Sequence, residues 1–497
     1  MYDHNENQLI MPDEFFLPFE GHLNARNRWV VLASEIPWAE IEQAYVERLG
    51  NKKRGERAYP ARLALGSLII KEMLGLSDEG TVEAITENPY LQYFIGLDAF
   101  QLEKPFDASS MTHFRKRFDA DYINQINERI IQQQKELTSK TNPKKDSSDD
   151  DDDPFGMSTK PSNTPSKKGS TNERTHQGKL LIDATCVPAN ITYPTDIGLL
   201  NHAREKLESI IDTLHQPLIG KRKKPRTYRR RARKQYLAIS KQRRPNKHTI
   251  RRAIRQQLGY VRRNLAHIET LVKQSDLRSL GRLAYKDLLV IQELYRQQSM
   301  MYQEKTHSIQ DRIVSIRQPH VRPIVRGKAS APVEFGAKLS MSLVNGYAFM
   351  DVLDWDPYHE GKLLRHSIEI YKERHGYYPE AILADTLYRT RENRALCKEL
   401  GIRLSGPRLG RPPKNKSITR QQRNIERQDA SERNQIEGKF GEGKRTYGLG
   451  LISACLQSTS ETAIALGILT MNLSKILRDF FFSFLKILRQ EFYLLTS

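Results

Sequence analysis

One apolar run constrains the fold more than any other feature of the chain. Residues 179–191, KLLIDATCVPANI, have the residue types of a buried strand. A polar segment precedes them, and a long charged stretch with helical patterning follows, from about 199 to 318. Strand signals return only at 333–344 and 347–355, with Asn345-Gly346 between them as a strong hairpin signal. A helix is expected over 362–374, ended by His375-Gly376, then a strand over 380–385. A helix over 391–400, closed by Gly401, and a short strand over 402–405 come next. Residues 406–428 read as a basic loop, and the chain from about 429 onward as mainly helical. A hairpin followed by strand–helix–strand describes a mixed α/β sheet with helices on its faces. Its first strand (179–198) and its remainder (321–497) are separated by a helical insertion (199–320).

The first 137 residues read as a helical domain. Tyr59-Pro60 precedes an apolar run over 61–74 that ends at Gly75, and Pro60 suits a first helical turn. A second segment over 78–86 has mixed helical spacing, and Asn88-Pro89 marks a turn. Ser109 or Ser110 can cap a helix carrying His113, Arg115, Lys116 and Arg117. Short helices ending in a capped basic helix suggest a helix-turn-helix for DNA, with Arg115, Lys116 and Arg117 as contacts. An ordinary helical bundle with a solvated basic face is the plainer reading. Residues 138–178, rich in Ser, Thr, Lys and Pro and holding Asp149–Asp153, read as a disordered linker without a catalytic role.

Charge points to the partner. The chain holds 80 Lys and Arg against 59 Asp and Glu, a formal net charge of +21. Between Lys221 and Arg263 there are 19 Lys/Arg and no acid, so this stretch supplies nearly all the excess. Without interspersed carboxylates it is not a salt-bridge lattice, and a DNA groove is the better reading, with Arg229, Arg230, Arg231, Arg251 and Arg252 as contacts. Cys186, Cys397 and Cys455 are far apart and form no CxxC motif, so neither zinc nor a disulfide framework is expected, which fits a reducing compartment. The N-terminus carries no signal-peptide pattern. The apolar stretch 462–488 is interrupted by Lys475, Arg478, Asp479 and Lys486, which favours a packed helix over a membrane span.

Two aspartates interrupt apolar strands: Asp183 in Leu-Leu-Ile-Asp-Ala-Thr and Asp385 at the end of Ala-Ile-Leu-Ala-Asp. A carboxylate in such a place is costly unless it is paired or bound to a cation, and Mg²⁺ favours a few carboxylate oxygens. Each alone could instead be a turn or helix cap. Downstream, Arg433, Glu437 and Lys444 fall at i, i+4 and i+11, one face if helical, although Gly438, Gly441 and Gly443 weaken that helix. Glu437 would complete a metal cage there, while Arg433 and Lys444 would meet phosphate oxygens. A surface salt-bridge ladder is the bland alternative.

These segments resemble the DDE transposases of bacterial insertion sequences, in the insertion sequence four/five group. The matching stretches are Asp-Ala-Thr at 183–185, Ala-Asp-x-x-Tyr at 384–388 and Arg-x3-Glu-x6-Lys at 433–444. Phe335-Gly336-Ala337-Lys338 and the stretch from Tyr59 to Phe118 also look similar. The family pattern has a tyrosine where Ala430 stands, which removes any role for one there. The resemblance implies a ribonuclease H-like core, with the first Asp on the first strand, the second near the end of the fourth and the Glu on a later helix. It implies the catalytic and metal-binding triad Asp183, Asp385 and Glu437. It also implies two Mg²⁺ ions, replaceable by Mn²⁺, that serve hydrolysis at element ends and then attack of the 3′-hydroxyl on target DNA. A homodimer bridging two terminal inverted repeats is implied as well. Such a protein would be cytoplasmic, at the bacterial nucleoid, and not in a membrane.

Rival readings are weaker. An aspartyl phosphatase would need an aspartate where Thr185 stands. A ribonuclease H-like nuclease shares the triad, and a non-catalytic DNA-binding protein derived from a transposase shares the basic surfaces.

Overall fold

The computed structural model describes residues 11, 13–17, 21–49, 58–141, 176–325, 333–407 and 416–496, with side chains excluded at 138–141, 416–419 and 486–496. Most of the expected linker, including Asp149–Asp153, lies outside the described residues.

Seven helices open the chain: α1 (Arg28–Glu35), α2 (Trp38–Leu49), α3 (Ala61–Leu74), α4 (Asp78–Glu87), α5 (Pro89–Phe94), α6 (Ser110–Arg117) and α7 (Ala120–Thr141). The expected apolar run becomes α3, buried along most of its length, with Pro60 as the cap residue rather than inside the first turn. Ser109 holds the cap position of α6 without a side-chain bond to the helix. Helix α7 carries the N-terminal region beyond the expected boundary at 137.

Strand β1 (Lys179–Pro188) lies at the centre of a six-stranded sheet. The other strands are β2 (Arg322–Val325), β3 (Val333–Val344), β4 (Tyr347–Asp354), β5 (Ala381–Ala384) and β6 (Arg403–Leu404). The order is β2-β3-β1-β5-β6, with β4 also paired to β3. Strand β3 runs antiparallel to β1, β2 and β4, whereas β5 runs parallel to β1 and β6 parallel to β5. Strand β2 carried no sequence signal and pairs with the start of β3. Asn345 (φ 53°) and Gly346 (φ 79°) both turn left-handed, as a type I′ hairpin requires. At Gly336 a Cβ would stand 2.0 Å from the Val187 carbonyl oxygen, so only glycine lets β3 close on the end of β1. A bulge in β4 beside Ser340/Met341 sets Asp351 out of register. Its buried carboxylate meets Arg374 Nη1 at 2.8 Å and accepts from Ser342 Oγ at 2.9 Å.

The insertion is helical throughout: α8 (Asp196–His215), α9 (Arg229–Ser240), α10 (Lys247–Val272) and α11 (Arg282–Glu304). It has its own hydrophobic core, which includes Leu207, Ile211, Val261, Ile268, Ile291 and Leu294. Helices α12 (Leu364–His375) and α13 (Arg391–Glu399) pack on one sheet face with Leu180, Ile182 and Ile382. Helices α14 (Lys416–Thr446) and α15 (Gln457–Thr496) follow. Their core residues Ile436, Phe440, Leu466 and Leu469 join Leu181, Val187 and Leu383 and the N-terminal helices in one continuous core. Two expectations are corrected here. Residues 416–428 are the first turns of α14, not loop, and α14 continues through its three glycines. Arg420, Arg423 and Arg427 of that stretch are exposed on α14, and Gly443 leaves the space that Leu449 fills, since a Cβ there would be 2.7 Å from Leu449 Cδ1. No described helix is long and apolar enough to cross a membrane.

A buried amide closes the free edge of β4. Asn472 of α15 accepts from Ala348 N at 2.9 Å and donates to Ala348 O at 2.7 Å, as a neighbouring strand would. Its amide also donates to Asn127 Oδ1 at 2.8 Å, which brings α7 into the same knot. Asn472→Leu removes the partner of the Ala348 amide and of Asn127 Oδ1, while the Ala348 carbonyl keeps its bond from Asn127 Nδ2 at 3.1 Å, and a loss on the order of 3 kcal/mol in unfolding free energy is expected from chemical denaturation. An unchanged midpoint would mean that the amide is dispensable.

Candidate active site at the sheet edge

The parallel register pairs Ile182 with Ala384, so the next residues along the two strands are Asp183 and Asp385. Alternation places Asp183 on the face of Leu181 and Val187, and Asp385 on the face of Leu383. This is the face that α14 covers. Asp183 Oδ1 accepts from the Ala184 amide at 2.8 Å. Asp385 also caps a single turn over Thr386–Tyr388, and both its bonds, from Thr386 N at 2.6 Å and Thr386 Oγ1 at 3.3 Å, fall on Oδ1. The capping role and a ligand role are therefore compatible on different oxygens.

Helix α14 is fixed over the sheet by ion pairs. Glu432 meets Lys179 of β1 at 2.7 Å, and Asp429 pairs with Arg403 of β6. These neighbours set Arg433 beside Asp183. Glu437, one turn along, is half-exposed and meets Arg433 Nη2 at 3.1 Å. The acidic groups acting on Asp183 are Glu360 and Asp385. The structure thus brings the two aspartates and Arg433 together, while the Glu437 carboxylate is turned to its arginine. Among the described residues no three His, Cys, Asp or Glu side chains are arranged to hold a metal ion. Lys444 lies further along α14 and is partly buried.

Glu360, Arg389 and Arg394 carried no sequence signal of their own, whereas Lys338 and Tyr388 lie in stretches quoted for the resemblance. Glu360 follows β4 in a short 3-10 turn and meets Lys338 Nζ at 2.9 Å. Lys338, in the segment flagged by resemblance, also donates to the Tyr358 carbonyl at 2.7 Å. Tyr388 is fully buried, and burial first, then Glu360 and Asp183, push its hydroxyl well above the usual tyrosine range. Arg389 donates to the Ala384 carbonyl at 3.3 Å, and Asp385, Arg394 and Arg433 all act on it. Nothing in the sequence distinguishes Arg389 and Arg394 from the many other arginines; the turn after β5 sets Arg389 near Asp385, and Arg394 donates to the Arg389 carbonyl at 3.2 Å.

The remaining basic candidates have mixed surroundings. Arg115 is clamped to Asp78 at 2.9 and 2.6 Å, and Arg117 donates to Tyr45 Oη at 3.2 Å, while Lys116 is exposed. Arg229 pairs with Asp212 at 2.7 Å, and Arg251 lies 4.2 Å over the Tyr302 ring. Arg230, Arg231 and Arg252 face solvent.

Burial, reinforced by Glu360 and Asp385, raises Asp183 from 3.8 to about 6 despite the Ala184 amide and Arg433. Below pH 4 both folded and unfolded chains hold this proton, and no penalty exists. As pH rises to 6 the unfolded chain releases it first, so the folded state loses stability, and above 6 the loss is complete. Asp183→Asn is therefore expected to stabilise the metal-free protein at pH 7.5, and not at pH 4. The gain is up to roughly 3 kcal/mol, since each tenfold rise in proton affinity is worth about 1.4 kcal/mol. Glu360→Gln is expected to leave the onset of the loss unchanged, to bring its completion to lower pH and to make it smaller. Thermal melts across pH 4–8 check both; a gain equal at all pH values would exclude Asp183 as its source.

Residues 382–474 match a family model described as a transposase DDE domain. Residues 17–117 match a model described as a transposase domain (DUF772). The first covers Asp385 and Glu437 and the second covers α1 to α6, while Asp183 lies outside both. The chain is also similar to a Rhizobium meliloti protein, the uncharacterized protein ORF8 in the nfe locus, at 41% identity over 106 residues. That covers 21% of this chain and 49% of the relative, so the chain spans about half the length of the curated protein it matches. No solved structure matches.

Proposed function

We propose that this chain is a DDE transposase of the insertion sequence four/five group, cutting phosphodiester bonds at the ends of a mobile DNA element and joining the 3′-hydroxyl ends to target DNA. The observation that carries the reading is the meeting of Asp183 and Asp385 at one end of two parallel strands, under a helix that bears Arg433 and Glu437, where a transposase DDE model matches. The sheet, an antiparallel group of β2, β3 and β4 beside the mutually parallel β1, β5 and β6, supports a ribonuclease H-like core. The basic insertion and the N-terminal helices would grip the DNA, and a dimer would bridge two ends.

The residues fit a hard divalent cation. Burial first, then the carboxylates of Glu360 and Asp385, raise the proton affinity of Asp183, and a dication would offset the negative charge gathered there. Asp183 and Asp385 would hold it through oxygen, and Glu437 would join on leaving Arg433. Bound Mg²⁺ or Mn²⁺ would supply positive charge to the phosphate oxygens undergoing in-line displacement. Arg433, released from Glu437, and Arg389 would orient a phosphodiester by charge-assisted hydrogen bonds. The Lys338–Glu360 pair would keep Glu360 in place beside Asp183.

The decisive experiment compares wild type with Asp385→Asn on DNA carrying the ends of the encoding element. Wild type is expected to cut and join in Mg²⁺, and the variant to bind DNA comparably while losing both steps. Mn²⁺ is expected to raise the melting temperature of wild type and not of the variant. Equal DNA binding with no cutting by either protein, in Mg²⁺ or Mn²⁺, would replace this reading with that of a non-catalytic DNA-binding protein.

A further inference from the structure

Within the insertion, α9 lies along α10 and is pinned there by buried Ala232, whose carbonyl accepts from Gln257 Nε2 at 3.3 Å. A second tie joins Tyr260 Oη to Gln235 Oε1 at 2.9 Å. Between the two helices runs an open groove of about 490 Å³, with Arg231 on one wall and Arg252, Arg255 and Arg263 on the other. Among the described residues no acid lines it.

Other arginines of the insertion are neutralised by carboxylates: Arg204 by Glu208, Arg229 by Asp212, Arg296 by Glu293 and Arg312 by Asp196. Among the described residues no ion pair joins Arg231, Arg252, Arg255 or Arg263 to an acid. Arg263 lies against two aromatic rings, 4.9 Å over Tyr228 and 5.5 Å over Tyr260. Tyr228 takes a left-handed backbone (φ 55°), an unfavourable state for a tyrosine, where the chain enters α9. Four guanidinium groups without carboxylate partners repel one another, and an acceptor-rich anion relieves that repulsion.

Gly259 supplies a second, independent sign. It lies in the interior of α10, where glycine is a poorer helix former than alanine. Its backbone is not left-handed, and a Cβ there would meet no heavy atom within 4 Å. Neither a turn nor internal packing requires glycine at this position, yet it lines the arginine groove. A missing side chain there lets a ligand approach the helix backbone.

We propose that the α9–α10 groove is a seat for the DNA phosphate backbone, with a phosphate drawn close to Gly259 between Arg231 and Arg255. This deepens the transposase reading and rests on it for the choice of DNA as the polyanion. The groove reads no base edge in this arrangement, so it grips DNA independently of sequence.

The test measures binding of the full chain to a random-sequence DNA duplex as a function of salt, for wild type, Arg231→Gln/Arg255→Gln, Gly259→Ala and the control Arg282→Gln, an exposed arginine at the start of α11 that does not line the groove. Each phosphate contact contributes about 0.9 to the slope of log affinity against log salt. The double variant is expected to lose about 1.8 of slope by that rule, and Arg282→Gln clearly less. Gly259→Ala is expected to unfold no earlier than wild type and still bind more weakly, which separates loss of approach from loss of fold. Wild-type binding and salt slope in either groove variant would overturn the proposal, and would leave the transposase reading standing if wild type cuts DNA. Absence of DNA binding by wild type would overturn both. Preferential capture of an acidic peptide over duplex at matched charge would assign the groove to a protein partner and overturn the DNA assignment.

Discussion

Strand β1 depends on chain far downstream for both its edges. Its antiparallel partner β3 and its parallel partner β5 are reached only after the whole insertion has been traversed. A strand without partners leaves its amides and carbonyls unsatisfied, so β1 cannot be stable until β3 and β5 arrive. The insertion tolerates that delay because it carries its own core and asks nothing of the sheet for its packing. The same pairing that satisfies β1 also sets Asp183 next to Asp385. Fold and site therefore share one constraint: the β1–β5 register cannot slip by a residue without turning an aspartate to the opposite face.

The surroundings of that register are costly in a way that suits a cation. Burial first, and then Glu360 and Asp385, raise the proton affinity of Asp183. Arg433 offsets only part of this, since it is shared with Glu437. A site built to be stable by itself would have more cations or fewer acids. The helix that brings Arg433 is held by ion pairs at Asp429 and Glu432, so its position does not depend on the charges at the site itself. Elsewhere the scaffold is closed by neutral amides: Asn127 and Asn472 tie the first helical region and the last helix to the free edge of β4. That knot makes the N-terminal helices part of the same core as the sheet, rather than a bead on a tether.

Much of the fold was legible from local chemistry. Asn345-Gly346 demanded a left-handed turn and marked the hairpin to the residue. Gly75, Gly376 and Gly401 ended segments where helices do end. Alternation in β1 and the apolar β5 placed both aspartates on strands or at their ends. What failed to show locally was structure made by pairing or by burial. Strand β2 is too short to have a pattern and exists because β3 extends past β4. The first turns of α14 look like basic loop because they are polar almost all round, so only contact elsewhere on the helix makes them helical.

The sequence by itself determined which residue types stand at strand ends, where turns must fall and where the positive charge is concentrated, because these follow from backbone preference and composition over short windows. Only the tertiary structure decided which charges meet. Glu360 and Asp183 lie far apart in the chain and meet because β1 and the turn that follows β4 come together. Arg115 and Arg229 are alike in sequence to Lys116 and Arg231, yet the first two are bound to aspartates and the second two face solvent. Electrostatic energy depends on distance in space, and a chain of this length sets those distances by long-range packing rather than by neighbouring residues.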